Sequence, residues 1–211
     1  MPLIEKIESK SGTIGIWELS ESADDLLKNC QLHLADLERF NSFRAEKRRR
    51  EFLASRLTLQ QIFPGYPEIS YTKSSGKPVF KDSDLNISIT HSANLAAVII
   101  SDEPVGIDIE QLDRNIEKVV TRFVAPSEMD FIKKGSHPQL AKIMLWAAKE
   151  AIYKCSGMLG IQFNEQIIID PFDYTAGNEF SGKLIHPSGT IKYRLNYHLI
   201  KNNVLVYCVE K

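Results

Sequence analysis

The chain has 211 residues, of which 43% are hydrophobic and 25% charged, with a formal net charge of -1. That composition is ordinary for a soluble globular protein, and the length suits one large domain or two small ones. A near-neutral chain has no global field to gather nucleic acid or an anionic membrane. No apolar run reaches the roughly 18 residues that a membrane helix needs. The N-terminal residues carry no signal-peptide pattern. Cys30, Cys155 and Cys208 are far apart, odd in number and at no metal-ligand spacing, which points to a reducing, cytoplasmic setting.

Taken in order, Thr13 to Leu19 alternates and is rich in β-formers, so it reads as a strand. Ser20 or Ser22 can cap a following helix, in which Leu26, Leu27, Leu34 and Leu37 recur at helical spacing from Ala23 to Phe40. A second helix runs from Arg44 to about Ile62 and begins with the basic run Lys47-Arg48-Arg49-Arg50. Such a run is most often a solvated helix face. It is short and lacks interleaved aromatics, which argues against a nucleic-acid patch; a site for a small phosphate group is the third reading. Arg56 lies among apolar neighbours, which favours a directed role, and a guanidinium is a planar donor fork suited to phosphate.

Ile69 to Thr72 is a short strand, and Lys73 to Pro78 a turn in which Gly76 and Pro78 flank Lys77. Lys77 is either solvent-facing or held on a constrained loop for a ligand. A strand from Ile87 ends in Thr90-His91-Ser92, where His91 is a turn histidine or a ligand-facing donor. Leu95 to Ile100 is a continuous apolar strand. Val105 to Glu110 follows after a short turn, so the three strands are expected to form an antiparallel meander.

Within that last strand, Asp108 and Glu110 fall on one face and Ile107 and Ile109 on the other. Carboxylates beside an apolar run are costly to bury without a partner, and a hard cation such as Mg²⁺ is one. Ile116 to Val124 reads as a helix, and Ser127 as the cap of the next, which Gly135 and Pro138 break. Leu140 to Ser156 is a long helix ended by Gly157. On it Trp146, Glu150 and Lys154 are spaced i, i+4, i+8 and share one face. Strands follow at 166–169, 180–186, 191–199 and 204–209. The expected fold is α+β, in two halves, 1–112 and 113–211. Each half has helices and a small antiparallel sheet, and the site is expected in the cleft between them.

Gly106-Ile107-Asp108-Ile109-Glu110 followed by Trp146-Ala147-Ala148-Lys149-Glu150-Ala151-Ile152-Tyr153-Lys154 resembles the paired signature of 4′-phosphopantetheinyl transferases. The length resembles the surfactin-synthetase-activating, pseudo-dimeric type. Gly76-Lys77-Pro78, Ile89-Thr90-His91-Ser92, and Arg122-Phe123 with Ser127-Glu128 fall in the family's order and approximate spacing. The resemblance implies transfer of phosphopantetheine from coenzyme A to a serine of an acyl or peptidyl carrier protein, with release of adenosine 3′,5′-bisphosphate. It implies Mg²⁺ on Asp108, Glu110 and Glu150, with Glu150 as base and Lys154 on the diphosphate. It implies that Lys47, Arg50, Arg56, Lys77, Thr90 and His91 hold the nucleotide and its 3′-phosphate. Glu128 matches a family acid near the metal or the pantetheine. Lys149 faces elsewhere on an ideal helix, which gives it a lesser, structural role.

Two departures stand out: Thr90 where relatives commonly have serine, and Ala147 where the helical signature has a hydroxyl residue. Met129, Phe131, Lys133 and Lys134 are candidates for the carrier surface, although the apolar pair could equally pack in the core. A pseudo-dimer is expected to be a monomer. Two other readings stand beside the transferase. One is a Mg²⁺-dependent hydrolase of coenzyme A or a related nucleotide diphosphate, and the other a non-catalytic carrier-binding module. Retention of all three acids and Lys154 speaks against the module.

Overall fold

The structure, a computed structural model, describes residues 3–135, 137–173 and 178–211. It divides into two compact units, Met1–Glu103 and Pro104–Lys211.

The N-terminal unit begins with a hairpin of β1 (Leu3–Ser9) and β2 (Gly12–Glu18). Helix α1 (Ala23–Asn29) is capped by Ser22, whose side chain accepts from the Asp25 backbone N–H. The single helix expected over 23–40 is two: the chain is extended at Cys30 and again at His33, where α2 (Leu34–Ser42) starts. Leu34 and Leu37 are therefore exposed rather than core residues. Helix α3 (Glu46–Ile62) buries Phe52, Leu53, Leu57 and Leu59. A small hairpin of β3 (Ile69–Tyr71) and β4 (Pro78–Phe80) follows, then β5 (Asn86–His91) and β6 (Leu95–Ser101). The main sheet of this unit has the order β1-β2-β6-β5.

Strand β7 (Val105–Gln111) does not continue the β5–β6 meander expected from the sequence. It pairs antiparallel with β11 (Asn203–Glu210), matching Asp108 to Val206 and Glu110 to Val204. The strand carrying the two acids thus belongs to the C-terminal unit, not to an N-terminal half ending at 112. Burial accords with the pairing: β11 is buried from Asn203 to Val209 and β7 from Val105 to Ile109, as in strands covered on both faces.

In that unit a 3₁₀ turn (Glu117–Val119) and α4 (Val120–Phe123) replace the longer helix expected over 116–124. Helix α5 (Pro126–Lys134) starts at Ala125, with proline at its first position. Ser127 is inside the helix and does not cap it; the Glu128 carboxylate does, accepting the Ala125 N–H at 2.7 Å. Helix α6 (Pro138–Ser156) ends at Gly157, which takes a left-handed φ of 62°. Helix α7 (Phe163–Gln166) runs into β8 (Ile167–Ile169), followed by β9 (Glu179–His186) and β10 (Gly189–Ile200). The five-stranded sheet has the order β7-β11-β10-β9-β8.

The close approach of α6 to β7 positions everything that follows. Ala147, Ala148 and Ala151 are fully buried on α6. Gly106 sits against them: a Cβ there would stand 2.0 Å from the Ala151 carbonyl oxygen and 2.7 Å from the Cys155 nitrogen. Gly106→Ala is therefore expected to push α6 off the strand and to cost about 3 kcal/mol, read as a lower urea midpoint with an unchanged m-value.

Candidate active site

Residues 106, 108 and 110 share the β7 face that α6 covers. Helix and strand run in opposite senses, so Trp146 meets Glu110 and Lys154 meets Asp108. The Trp146 indole N–H donates to Glu110 Oε1 at 2.8 Å. Lys154 Nζ donates to Asp108 Oδ1 at 2.7 Å and to the Ile107 carbonyl at 3.1 Å. Glu150 lies between them on the helix. The i, i+4, i+8 spacing and the strand alternation thus put Glu150 and Lys154 on the α6 face toward Asp108 and Glu110 of β7.

The electrostatics follow from that crowding. Burial, then repulsion from Asp108, pushes the Glu150 carboxyl up to about 7; Lys154 opposes this, while Glu110 adds to it. Glu110 is also raised, by burial and then by Asp108, with Arg114 and the Trp146 N–H pulling the other way. Arg114 had no signal in the sequence, lying just past the strand end. Its guanidinium pairs with Glu110 Oε1 and sits 5.4 Å over the Trp146 ring.

A pocket of about 690 Å³ opens beside Glu150. Trp146, Glu150 and Tyr153 form its α6 wall, facing Phe123 and Phe163. Phe163 lies 5.9 Å from Trp146 and 5.5 Å from Tyr153, ring centre to ring centre. Thr121, Gln162 and Asn164 supply polar groups at its edge. The size and the mix of aromatic wall and sparse polar groups suit an extended organic ligand.

Glu128 and Lys149 are placed away from this pocket's lining. Both are buried, at 3% and 0% exposure. Their ion pair is 2.7 Å long. Besides capping α5, Glu128 accepts the Ile169 N–H at 2.8 Å. Burial draws the Lys149 ammonium below the ordinary lysine range, and Glu128 opposes that shift. Glu128 is thus tied into the fold by the Ala125 and Ile169 N–H groups and by Lys149. Ala147 is fully buried, where a hydroxyl would need a partner. Met129 and Phe131 pack against the core, Lys133 is exposed, and the side chain of Lys134 lies outside the described residues.

The basic residues of the N-terminal unit divide. Arg56 is 1% exposed, and its guanidinium grips Asp36 through two bonds of 2.8 and 2.6 Å and reaches Tyr71 Oη at 2.8 Å. It is therefore not a nucleotide ligand, contrary to the sequence expectation; its partner, Asp36, lies 20 residues upstream. Arg56→Lys keeps the charge but loses the fork, and is expected to cost about 2 kcal/mol in urea unfolding. Arg50 donates to the Leu19 carbonyl. Lys47, Arg48 and His91 gather around buried Glu51, at 3.8, 3.5 and 3.3 Å. Arg48 donates to His91 Nε2 at 3.0 Å, which makes that nitrogen the acceptor and leaves Nδ1–H toward Glu51. Thr90 is buried on the opposite side of β5 from His91. Lys77 follows the β3–β4 turn, its backbone N–H bonded to Thr72 Oγ1 at 3.0 Å.

Among the described residues, no three His, Cys, Asp or Glu side chains are already arranged to hold a metal ion, and no helix is long and apolar enough to cross a membrane.

The chain is similar in sequence to known proteins. The 4′-phosphopantetheinyl transferase gsp of Aneurinibacillus migulanus is 31% identical over 110 residues, covering 51% of this chain and 46% of that protein. The 4′-phosphopantetheinyl transferase psf-1 of Bacillus pumilus is 30% identical over 148 residues, covering 62% and 64%. Enterobactin synthase component D of Salmonella austin is 29% identical over 133 residues, covering 60% and 53%. The chain thus spans between about half and two thirds of the length of these curated relatives. The first two support the surfactin-synthetase-activating type expected from the sequence. Residues 104–208, which contain both motifs and the pocket, match the family model described as the 4′-phosphopantetheinyl transferase superfamily, and through them the chain belongs to that superfamily.

Proposed function

We propose that this protein transfers the 4′-phosphopantetheine group of coenzyme A to a serine hydroxyl of an apo acyl or peptidyl carrier protein, releasing adenosine 3′,5′-bisphosphate. The observation that carries the reading is the packing of one α6 face on one β7 face, which gathers Asp108, Glu110, Glu150 and Lys154. The serine oxygen forms a bond to the phosphorus of the pantetheine side, and the bridging P–O bond of the diphosphate breaks. Glu150 takes the serine proton, directly or through a water. Lys154 turns from Asp108 to the diphosphate and neutralises charge on the leaving side.

The donor set fits a hard divalent cation. Asp108, Glu110 and Glu150 offer only oxygen, and their mutual repulsion would be relieved by a cation. These three would hold Mg²⁺, whose contribution is Lewis-acid polarisation of the diphosphate. Lys154 and Arg114 now occupy Asp108 and Glu110, so both would yield to it.

The pantetheine arm, an extended chain with two amides, suits the pocket beside Glu150, with Thr121, Gln162 and Asn164 near its amides. In the N-terminal unit the Lys47–Arg48–His91 cluster is our candidate for the 3′-phosphate, with Arg50, Lys77 and Thr90 as further nucleotide positions. Cys30, Cys155 and Cys208 are thiols, which accords with a reducing, cytoplasmic setting. A chain with two α+β units is proposed to act as a monomer.

Release of adenosine 3′,5′-bisphosphate from coenzyme A, followed with and without apo carrier, separates the reactions. Release that requires the carrier supports transfer. Equal release without it, accompanied by free phosphopantetheine, would make the protein a hydrolase with water as the acceptor.

A further inference from the structure

The pocket wall at 160–164 is tied on its exposed side by Asn164, which donates to the Thr121 carbonyl at 3.4 Å, and by the packing of the Phe163 ring. Helix α7 is one turn long, too short to be stable by its own hydrogen bonds. Its buried anchor is the ammonium of Lys149, reaching out from the buried side of α6. It donates to the Phe163 carbonyl at 3.0 Å, the Ile167 carbonyl at 2.6 Å and Glu128 Oε2 at 2.7 Å. An ammonium has three N–H groups, so all of them are used. Glu128 is anchored in turn by the backbone N–H groups of Ala125 and Ile169. The chain of contacts runs from the start of α5, through two buried side chains, to the residue whose ring packs at a tilt against Trp146 and Tyr153.

We propose that Lys149 and Glu128 form a positioning pair, which sets the Phe163 wall of the pocket for the pantetheine arm without touching the substrate. The inference rests on the coenzyme A reading above. A pair that only supports the fold would affect every ligand alike. A pair that positions this wall affects the ligand that carries the arm and spares one that lacks it.

The test compares coenzyme A with adenosine 3′,5′-bisphosphate, which has the nucleotide but no arm, by calorimetry on the full chain. The variants are the doubly neutralised Lys149→Met/Glu128→Gln and, separately, Phe163→Ala. Both are expected to weaken coenzyme A about tenfold and to leave the bisphosphate within twofold. Adding Phe163→Ala to the double variant should add little, because both act through one wall. In turnover, KM for coenzyme A should rise while kcat stays within about threefold. Wild-type affinity for coenzyme A in the variants overturns the proposal, as does an equal loss of both ligands. If the double variant fails to fold, Phe163→Ala alone decides by the same criteria. A wild-type chain that binds neither ligand instead removes the coenzyme A reading on which the proposal rests.

Discussion

Glu150→Gln is expected to lower transfer by about three orders of magnitude and at the same time to make the metal-free protein more stable above pH 7. The two effects have one origin. The Glu150 carboxyl is raised from 4.5 to about 7 because it is half-buried beside Asp108 and Glu110. Between those values the folded state binds more protons than the unfolded chain, so stability falls as pH rises through the window. Above pH 7 the full penalty is present, and the shift corresponds to up to about 3 kcal/mol. Glutamine is neutral throughout and escapes it. Urea unfolding in EDTA should therefore separate the two proteins at pH 8 and bring them within about 1 kcal/mol at pH 5. A variant less stable than wild type at pH 8 would contradict the assignment of Glu150 as a strained acid.

The largest loss of stability is expected from Lys149→Met alone. It leaves Glu128, 3% exposed, as a buried charge whose cation is gone. Breaking such a pair from one side costs about 3–5 kcal/mol. It also strands the Phe163 and Ile167 carbonyls that the ammonium bonds. Adding Glu128→Gln removes the orphaned charge. The amide still offers one acceptor oxygen, but two backbone N–H groups, of Ala125 and Ile169, compete for it. The double variant should therefore recover at least half the loss, with about 1–2 kcal/mol remaining. Equal stability of the single and double variants would mean that Glu128 is neutral in the folded protein.

The candidate constellation was legible as a grouping of residues because two local periodicities carry it. Strand alternation puts Asp108 and Glu110 on one face, and helical spacing puts Trp146, Glu150 and Lys154 on another. What the sequence could not give was the partner of each element. β7 pairs with β11 rather than with β6, and nothing local encodes a register between strands so far apart in the chain. Arg56 was misread for a similar reason. A buried arginine and a phosphate-binding arginine look alike until Asp36 is seen to face it. Glu128 was legible only as a matched acid; its capping role depends on the helix starting at Ala125 rather than at Ser127. Arg114 was missed because it follows the strand, where no periodicity predicts a contact with Glu110 and Trp146. Lys149 was correctly set off the catalytic face by helical geometry, but its three acceptors come from segments that fold back only in three dimensions.

The central claim is transfer to a carrier serine, and intact-mass spectrometry of an apo carrier tests it most directly. Apo carriers from fatty-acid and peptide synthases would be incubated with the protein, coenzyme A and Mg²⁺, with EDTA and Asp108→Ala as controls. The expected result is a gain of one phosphopantetheine group on at least one carrier, abolished by EDTA and by Asp108→Ala. Unmodified carriers across the panel, with coenzyme A nonetheless cleaved, would contradict it.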